Sequence, residues 1–495
     1  MSWSPLWRCV WQVSRIHALA LRLCLGSGIS PSTLNELPDA ETLVLFGANI
    51  AEMYPPYMRW ISAAREKGVK IIFLDPRRTP TSNFCDEQLM PRPGTDCALV
   101  LGVIRYLVKN NRYDHDYITS HVNGFSELVK AAEPYTPERV SEITWVPEEK
   151  VVSFARSLSR SRRTMIWMGG SLARNTNGIQ TARAIIFLEH YMPHDLETRR
   201  KIRKVLYNMG KGRVNMLLLN SSYRRYPDAN RVKEAISKVD FVVYRGFFMD
   251  EEAQLADLII PGSMVYESEG SQYGAQRQVV WRNKAVERPG ETVEDWRFYM
   301  DLGKKINASF PNVNSAEEIY ELVRKLSPSW KGITLERLKK TPTGITWPCL
   351  SEDEDRRETI YPDNRFLTPS GKVELFTKVL GPIKWKEPKG SPKEKLKGKA
   401  KDKAEEFPLV FTQGKVVQHW QQTYTNWSSY TGQFSEGNYV TVHPETARVI
   451  MLKDGEWVYL ETKVGRIKAR LRVTENILPG IVWTPSHPAP GSPIP

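Results

Sequence analysis

Residues 42–74 alternate a continuous apolar run with an amphipathic one. Residues 42–46 are hydrophobic, a turn follows at Gly47, residues 57–67 place apolar side chains at helical spacing, Gly68 interrupts, and residues 69–74 are apolar again. An apolar run bounded by turns reads as a strand buried on both faces. The amphipathic stretch reads as its crossover helix, so the whole makes a parallel βαβ unit. The rhythm returns at 214–219, 230–238 and 241–244. Past residue 406 the period shortens, because 407–412, 439–442, 456–462, 465–473 and 480–484 are short alternating runs split by turns such as Lys453-Asp454-Gly455. That is a barrel pattern. The predicted fold class is α/β, with two doubly wound parallel-sheet domains followed by a C-terminal β-barrel domain. The expected boundaries are an irregular segment at 1–38, α/β domains at 39–205 and 206–383, a linker at 384–406 and the barrel at 407–495.

Composition narrows this picture. A chain of 495 residues exceeds what one hydrophobic core supports. No stretch approaches the roughly 20 uninterrupted apolar residues of a membrane-spanning helix. The formal charge of +14 asks for an anionic partner, yet much of the excess is local, in the lysines from Lys384 to Lys403. That run reads as a solvated linker, and from Lys386 onward no aromatic side chain interleaves with it, so nucleic acid is not expected as a partner. The cysteines Cys9, Cys24, Cys85, Cys97 and Cys349 are scattered, without a CxxC pair. Zinc, an iron–sulfur cluster held by this chain alone and a disulfide framework are therefore not expected, and a reducing, cytoplasmic setting is.

Ligands of parallel sheets sit at the carboxyl ends of the strands, where helix amino termini present free N–H groups. Three segments fall there. Gly47-Ala48-Asn49 with Glu52 follows the first strand, and its plainer reading is a turn that caps a helix. Asp75-Pro76-Arg77-Arg78-Thr79 follows the second, setting an acid where a ribose hydroxyl or a guanine edge could lie and guanidinium groups where phosphate could. Arg92-Pro93-Gly94-Thr95-Asp96 opens a further helix, with an ordinary N-cap by Thr95 or Asp96 as the alternative.

In this order the three segments resemble the molybdopterin oxidoreductases of the dimethyl sulfoxide reductase type, in particular the nitrate reductase and formate dehydrogenase large subunits. Further matches are Gly169-Gly170, Arg174-Asn175-Thr176-Asn177-Gly178, Asn220, Tyr226-Pro227-Asp228, residues 256–261, Glu267-Ser268-Glu269-Gly270, residues 344–348, residues 368–372 and Thr412-Gln413-Gly414-Lys415. The resemblance implies a molybdopterin guanine dinucleotide cofactor in its bis form (bis-MGD) at molybdenum or tungsten, and a small anionic substrate such as nitrate or formate. It implies that Asn49, Glu52, Asp75, Arg77, Gly94 and Asp96 serve one dinucleotide. Asn220, Asp257, Glu267 and Gly270 would line the other half, and Thr412, Gly414, His419 and Trp420 would cover the pterin.

Several departures bear on activity. Relatives of this kind begin with cysteines that hold an iron–sulfur cluster, and no such series precedes Glu41, so electrons are expected from an iron–sulfur partner subunit. Cys24 stands either as the metal's thiolate ligand or in a loop that follows the ligand. Gly246 and Gly274 occupy positions where Asp and Asn are usual, and the simplest account of the sequence is a chain trimmed at both ends. A non-catalytic relative that keeps the scaffold for subunit assembly is the rival expectation. His443 reads as a surface residue.

Overall fold

The computed structural model describes residues 8–11, 15–28, 32–172, 175, 177–189, 209, 211–220, 229–274, 277–306, 313–354, 360, 361, 364–376, 381, 383–386, 407–417, 437–462 and 465–486. The chain divides into two compact units, one of Met1–Asp195 with Tyr361–Pro495, the other of Leu196–Ile360.

The first unit is built on a sheet of β1 (Arg8–Trp11), β2 (Thr42–Phe46), β3 (Lys70–Leu74), β4 (Glu87–Leu89) and β6 (Thr164–Met168). Its order is β1-β6-β2-β3-β4, and every pairing is parallel. From Leu43 to Phe46 all four side chains of β2 are fully buried, as a strand covered on both faces requires. The helix Met58–Glu66 buries Ile61 and Ala64 in the same cluster as Leu43, Leu45, Ile71 and Phe73. It stops at Gly68, whose φ of +77° favours a residue without Cβ. The chain runs from β2 outward through β3 and β4, then returns to β6 on the other side of β2. The order therefore reverses between β2 and β6, which is where such sheets bind ligands.

The amino-terminal segment expected to be irregular instead supplies β1 and the helix Arg15–Leu25. Its strand is set by a partner distant in sequence, since Arg8 to Trp11 pair with Met165 to Met168 along the free side of β6. A two-residue strand β5 (Val122–Asn123) pairs with β13 (Val373–Glu374).

The last part of this unit holds β14 (Val410–Gly414), β15 (Tyr439–Val442), β16 (Trp457–Thr462), β17 (Gly465–Val473) and β18 (Ile481–Pro485). They form a curled half-barrel sheet of order β14-β18-β15-β17-β16. Ile467, Ala469 and Leu471 of β17 are buried while Arg466, Lys468 and Arg470 between them are exposed, which is the alternation that marked the segment in the sequence.

The second unit carries a parallel three-stranded sheet of β7 (Met216–Leu219), β8 (Phe241–Gly246) and β9 (Leu258–Pro261). It also holds an antiparallel sheet of β10 (Gly270–Tyr273), β11 (Gln278–Arg282) and β12 (Ile345–Thr346). The helix Ala229–Ile236 packs on the parallel sheet through Val232, Ala235 and Ile236. The molecule is thus a mixed α/β protein with parallel sheets and a curled C-terminal β-sheet.

Candidate cofactor site

The carboxyl ends of β2, β3 and β6 approach one another closely. Gly47 N–H donates to Leu74 O at 2.7 Å and Gly169 N–H donates to Phe46 O at 2.7 Å. A Cβ on Gly169 would lie 1.8 Å from Gly47 O, so only glycine fits there. Beyond Gly47, Asn49 occupies the cap position of the helix Ile50–Met53 but makes no side-chain cap bond. Its amide donates to the Glu52 carboxylate, and its Oδ1 accepts from the Thr81 hydroxyl at 2.7 Å. Thr81 Oγ1 in turn accepts from Ala51 N–H at 3.0 Å. Asn49 is therefore oriented by side chains and does not serve as a plain cap.

Glu52 pairs with Arg77 at 3.7 Å, both largely covered. Asp75 Oδ1 accepts from Arg77 N–H at 3.0 Å, and Gln88 donates to Arg77 O at 2.8 Å. On its other side the Arg77 guanidinium lies 3.9 Å from the ring centroid of Trp483 in β18. The backbone joins there too, since Arg78 N–H donates to Asn476 O at 2.9 Å and Arg77 forms an antiparallel bridge with Ile477. The curled sheet is thereby tied to the rim of the first sheet through the very segment that follows β3.

After β4, Gly94 turns with a φ of +83° and hands the chain to Asp96, the first residue of the helix Asp96–Lys109. Thr95 does not cap it; its hydroxyl donates to Arg92 O at 2.6 Å. The Gly94 carbonyl is held by Asn177 Nδ2 at 3.1 Å and Trp385 Nε1 at 3.2 Å. Burial pushes the Asp96 carboxyl up to about 6, with the neighbouring Asp75 adding to the shift. Asp75 is likewise pushed up to about 6 by desolvation, against the lowering effect of Arg77. The structure thus gathers Asn49, Glu52, Asp75 and Arg77 in one hydrogen-bonded and ionic group, and sets Asp96, after the Gly94 turn, near enough to Asp75 for their charges to interact.

From the curled sheet, Thr412 and Gly414 both sit in β14, and a Cβ on Gly414 would come within 2.7 Å of Trp483 Nε1. His419, Trp420, Arg174, Thr176 and Tyr226-Pro227-Asp228 lie outside the described residues. His443 accepts from Glu445 N–H at 3.1 Å and caps the helix Pro444–Val449.

In the second unit the predicted residues do not come together at one end of the parallel sheet. Asn220 follows β7 at the carboxyl edge and donates to the Tyr299 hydroxyl at 2.7 Å. Asp257 precedes β9 at the opposite, amino-terminal edge, where its Oδ2 accepts from Val242 N–H at 2.7 Å. Asp86 does the same before β4, accepting from Ile71 N–H at 2.7 Å. Each acid immediately precedes an edge strand of a parallel sheet, and the shared sequence of an Asp, a short run and a Pro at or just past the strand's end (Pro91, Pro261) was the available signal. Glu267 Oε2 accepts from Met264 N–H at 2.8 Å, and Gly270 opens β10 with a φ of +147°. At Gly246 an added Cβ would meet the Tyr244 hydroxyl at 2.2 Å, so that phenol fills the space a larger side chain would need.

Cys24 lies in the helix Arg15–Leu25, fully buried, and burial pushes its thiol up to about 11, with Arg183 nearby drawing it down. Among the described residues no three His, Cys, Asp or Glu side chains group as a metal site. No helix among them is long and apolar enough to cross a membrane.

A parallel sheet whose order reverses between β2 and β6, glycine turns at its carboxyl edge, and desolvated carboxyls beside an arginine define a doubly wound α/β protein of the kind that takes nucleotide-bearing ligands at such an edge. The chain belongs to the molybdopterin oxidoreductase family, whose profile matches residues 22–305, and the molydopterin dinucleotide binding domain matches residues 409–493. It is 27% identical over 94% of its length to a formate dehydrogenase alpha subunit of Methanocaldococcus jannaschii, covering 74% of that protein. It is 26% identical over 92% of its length to the assimilatory nitrate reductase catalytic subunit of Bacillus subtilis, covering 71% of it. The solved acetylene hydratase of Pelobacter acetylenicus shares the fold with a TM-score of 0.78 at 21% identity, over 95% of this chain and 73% of that one. A molybdopterin cofactor with molybdenum or tungsten goes with this membership, and it favours an oxidoreductase over a bare scaffold.

Proposed function

We propose that the chain holds molybdopterin in the bis-guanine-dinucleotide form and carries a two-electron oxidation or reduction of a small anion such as formate or nitrate. The observation behind this is the group at the carboxyl edge of the first sheet. Desolvated carboxyls want hydrogen-bond donors, and the imino and amino edge of guanine supplies them, so Asp75 and Asp96 fit a guanine. Arg77, oriented by Glu52 and Trp483, is placed for a phosphate or ribose oxygen. Asn49 is fixed by Glu52 and Thr81 with its backbone at the helix entrance. When bound, the cofactor's metal supplies the two-electron chemistry; the residues named here bind and orient its tail.

The substrate class follows the names of the relatives, formate dehydrogenase and nitrate reductase. We assign electron transfer to an iron–sulfur partner subunit, in keeping with relatives named as an alpha subunit and a catalytic subunit. Among the described residues Cys24, Cys85, Cys97 and Cys349 form no disulfide, which goes with a reducing, cytoplasmic setting.

The test is chemical analysis of the purified chain. Metal analysis should find molybdenum or tungsten, acid release should yield guanosine monophosphate, and iodine oxidation should yield a fluorescent pterin, with guanosine and pterin in equal amounts. Asp75→Asn together with Asp96→Asn should lower the guanosine content. Pterin without guanosine would overturn the dinucleotide assignment, and neither pterin nor metal would overturn the function.

A further inference from the structure

The exposed face of the β16–β17 hairpin carries a ladder in which cations alternate with aromatic rings. The antiparallel register sets Trp457 opposite Arg470, Tyr459 opposite Lys468 and Glu461 opposite Arg466. Because side chains alternate sides along a strand, these residues stand on one face. The Arg470 guanidinium lies 4.9 Å from the Trp457 ring centroid, Lys468 Nζ 5.2 Å from the same ring, and the Arg466 guanidinium 5.2 Å from Tyr459. One strand further in, Arg472 covers Tyr439 at 3.6 Å. Trp457 and Tyr459 are 56% and 62% exposed, and β16 is the edge strand of its sheet.

Core packing does not require this face, because the apolar side of the hairpin is already buried through Ile467, Ala469 and Leu471. Glu461 stands opposite Arg466 as the one acid in the ladder, and no ion pair joins the two. Asp454 accepts from Val473 N–H at 2.8 Å, Glu456 from Lys453 N–H at 2.9 Å, and Arg470 donates to Gly455 O at 3.2 Å. Among the described residues no ion pair uses Arg466, Lys468 or Arg470. Like charges side by side on a sheet repel, and that repulsion is relieved when anions arrive.

We propose that this face is a docking surface for an acidic segment of a partner polypeptide. The rings hold the cations in place, so less side-chain freedom is lost when a carboxylate binds. The guanidinium forks of Arg466 and Arg470 match carboxylates in pairs. Carboxylates fit better than nucleic acid, because guanidinium and ammonium groups already cover the rings on which bases would stack. This reading is independent of the cofactor site.

The experiment uses the full chain and a fluorescent oligoglutamate peptide, followed by anisotropy. Charge reversal at Arg466, Lys468 and Arg470 to Glu should weaken binding about tenfold or more, with the effect shrinking as salt rises. A milder pair, Lys468→Gln with Arg470→Gln, should weaken it about threefold. Neutralising Lys393, Lys395, Lys397 and Lys399 should leave the affinity within about twofold, which separates the ladder from the lysine run. Carbodiimide coupling should join the peptide to Lys468. Unchanged affinity in both ladder variants would overturn the proposal. So would tighter binding of an oligothymidylate that Trp457→Ala abolishes, which would make the face a nucleic-acid platform.

Discussion

At Asp96 and Asp75 burial and charge act against each other, and the consequence is a dependence of stability on pH. Both carboxyls are pushed up to about 6, above the roughly 4 of an unfolded chain. Between those values the folded chain binds protons that the unfolded chain has released, so stability attributable to these groups is intact below about pH 4 and is lost as pH rises through 6. In cofactor-free protein the urea midpoint should fall across that window. Asp96→Asn should flatten the fall, a difference on the order of 1–2 kcal/mol near pH 7. An equal slope in the two proteins would mean that Asp96 does not carry the effect. Guanine bound to the carboxylates would stabilise their charged form and flatten the curve in the same direction.

At the scale of elements, the parallel strands were the most legible part of the sequence. The runs at 42–46 and 241–244 are observed as β2 (Thr42–Phe46) and as the start of β8 (Phe241–Gly246), since a strand buried on both faces needs continuous apolar residues. Strand β1 was not legible because its pairing with β6 decides it, and no local pattern encodes a partner that far along the chain. The candidate site shows the same division. Asn49, Glu52, Asp75 and Arg77 could be placed because each follows a readable strand, and Gly94 and Asp96 because they open a readable helix, whereas Thr81 and Trp483 join the group only through tertiary contacts. The family resemblance assigns Asp257 to the cofactor, and that resemblance does not say which end of the sheet it occupies. The structure sets it on a backbone N–H, as it does Asp86. Asp257→Ala and Asp86→Ala should therefore each cost about 1–2 kcal/mol in urea unfolding by stranding a strand-edge donor. If its role is at the strand edge alone, Asp257→Ala should keep the guanosine content of the folded fraction, and a selective loss of guanosine without loss of stability would support the ligand role.

At the scale of the molecule, the first unit is closed by two widely separated parts of the chain, and Arg77 is the joint between them. It is paired with Glu52 on one side and stacked on Trp483 on the other. A double-mutant cycle of Arg77→Leu and Trp483→Leu, read by urea unfolding of cofactor-free protein, should give a coupling of about 1 kcal/mol. Additive effects would show that the stack contributes nothing beyond proximity. The Arg77–Trp483 contact also sets an order of events during synthesis. The segment after β3 leaves the ribosome early and can fold with β2, but Ile477 and Trp483 lie about 400 residues further along and emerge only after those have been made. Until then the edge of the first sheet lacks its wall, so a nascent chain can present the turns after β2 and β3 without being able to close over them.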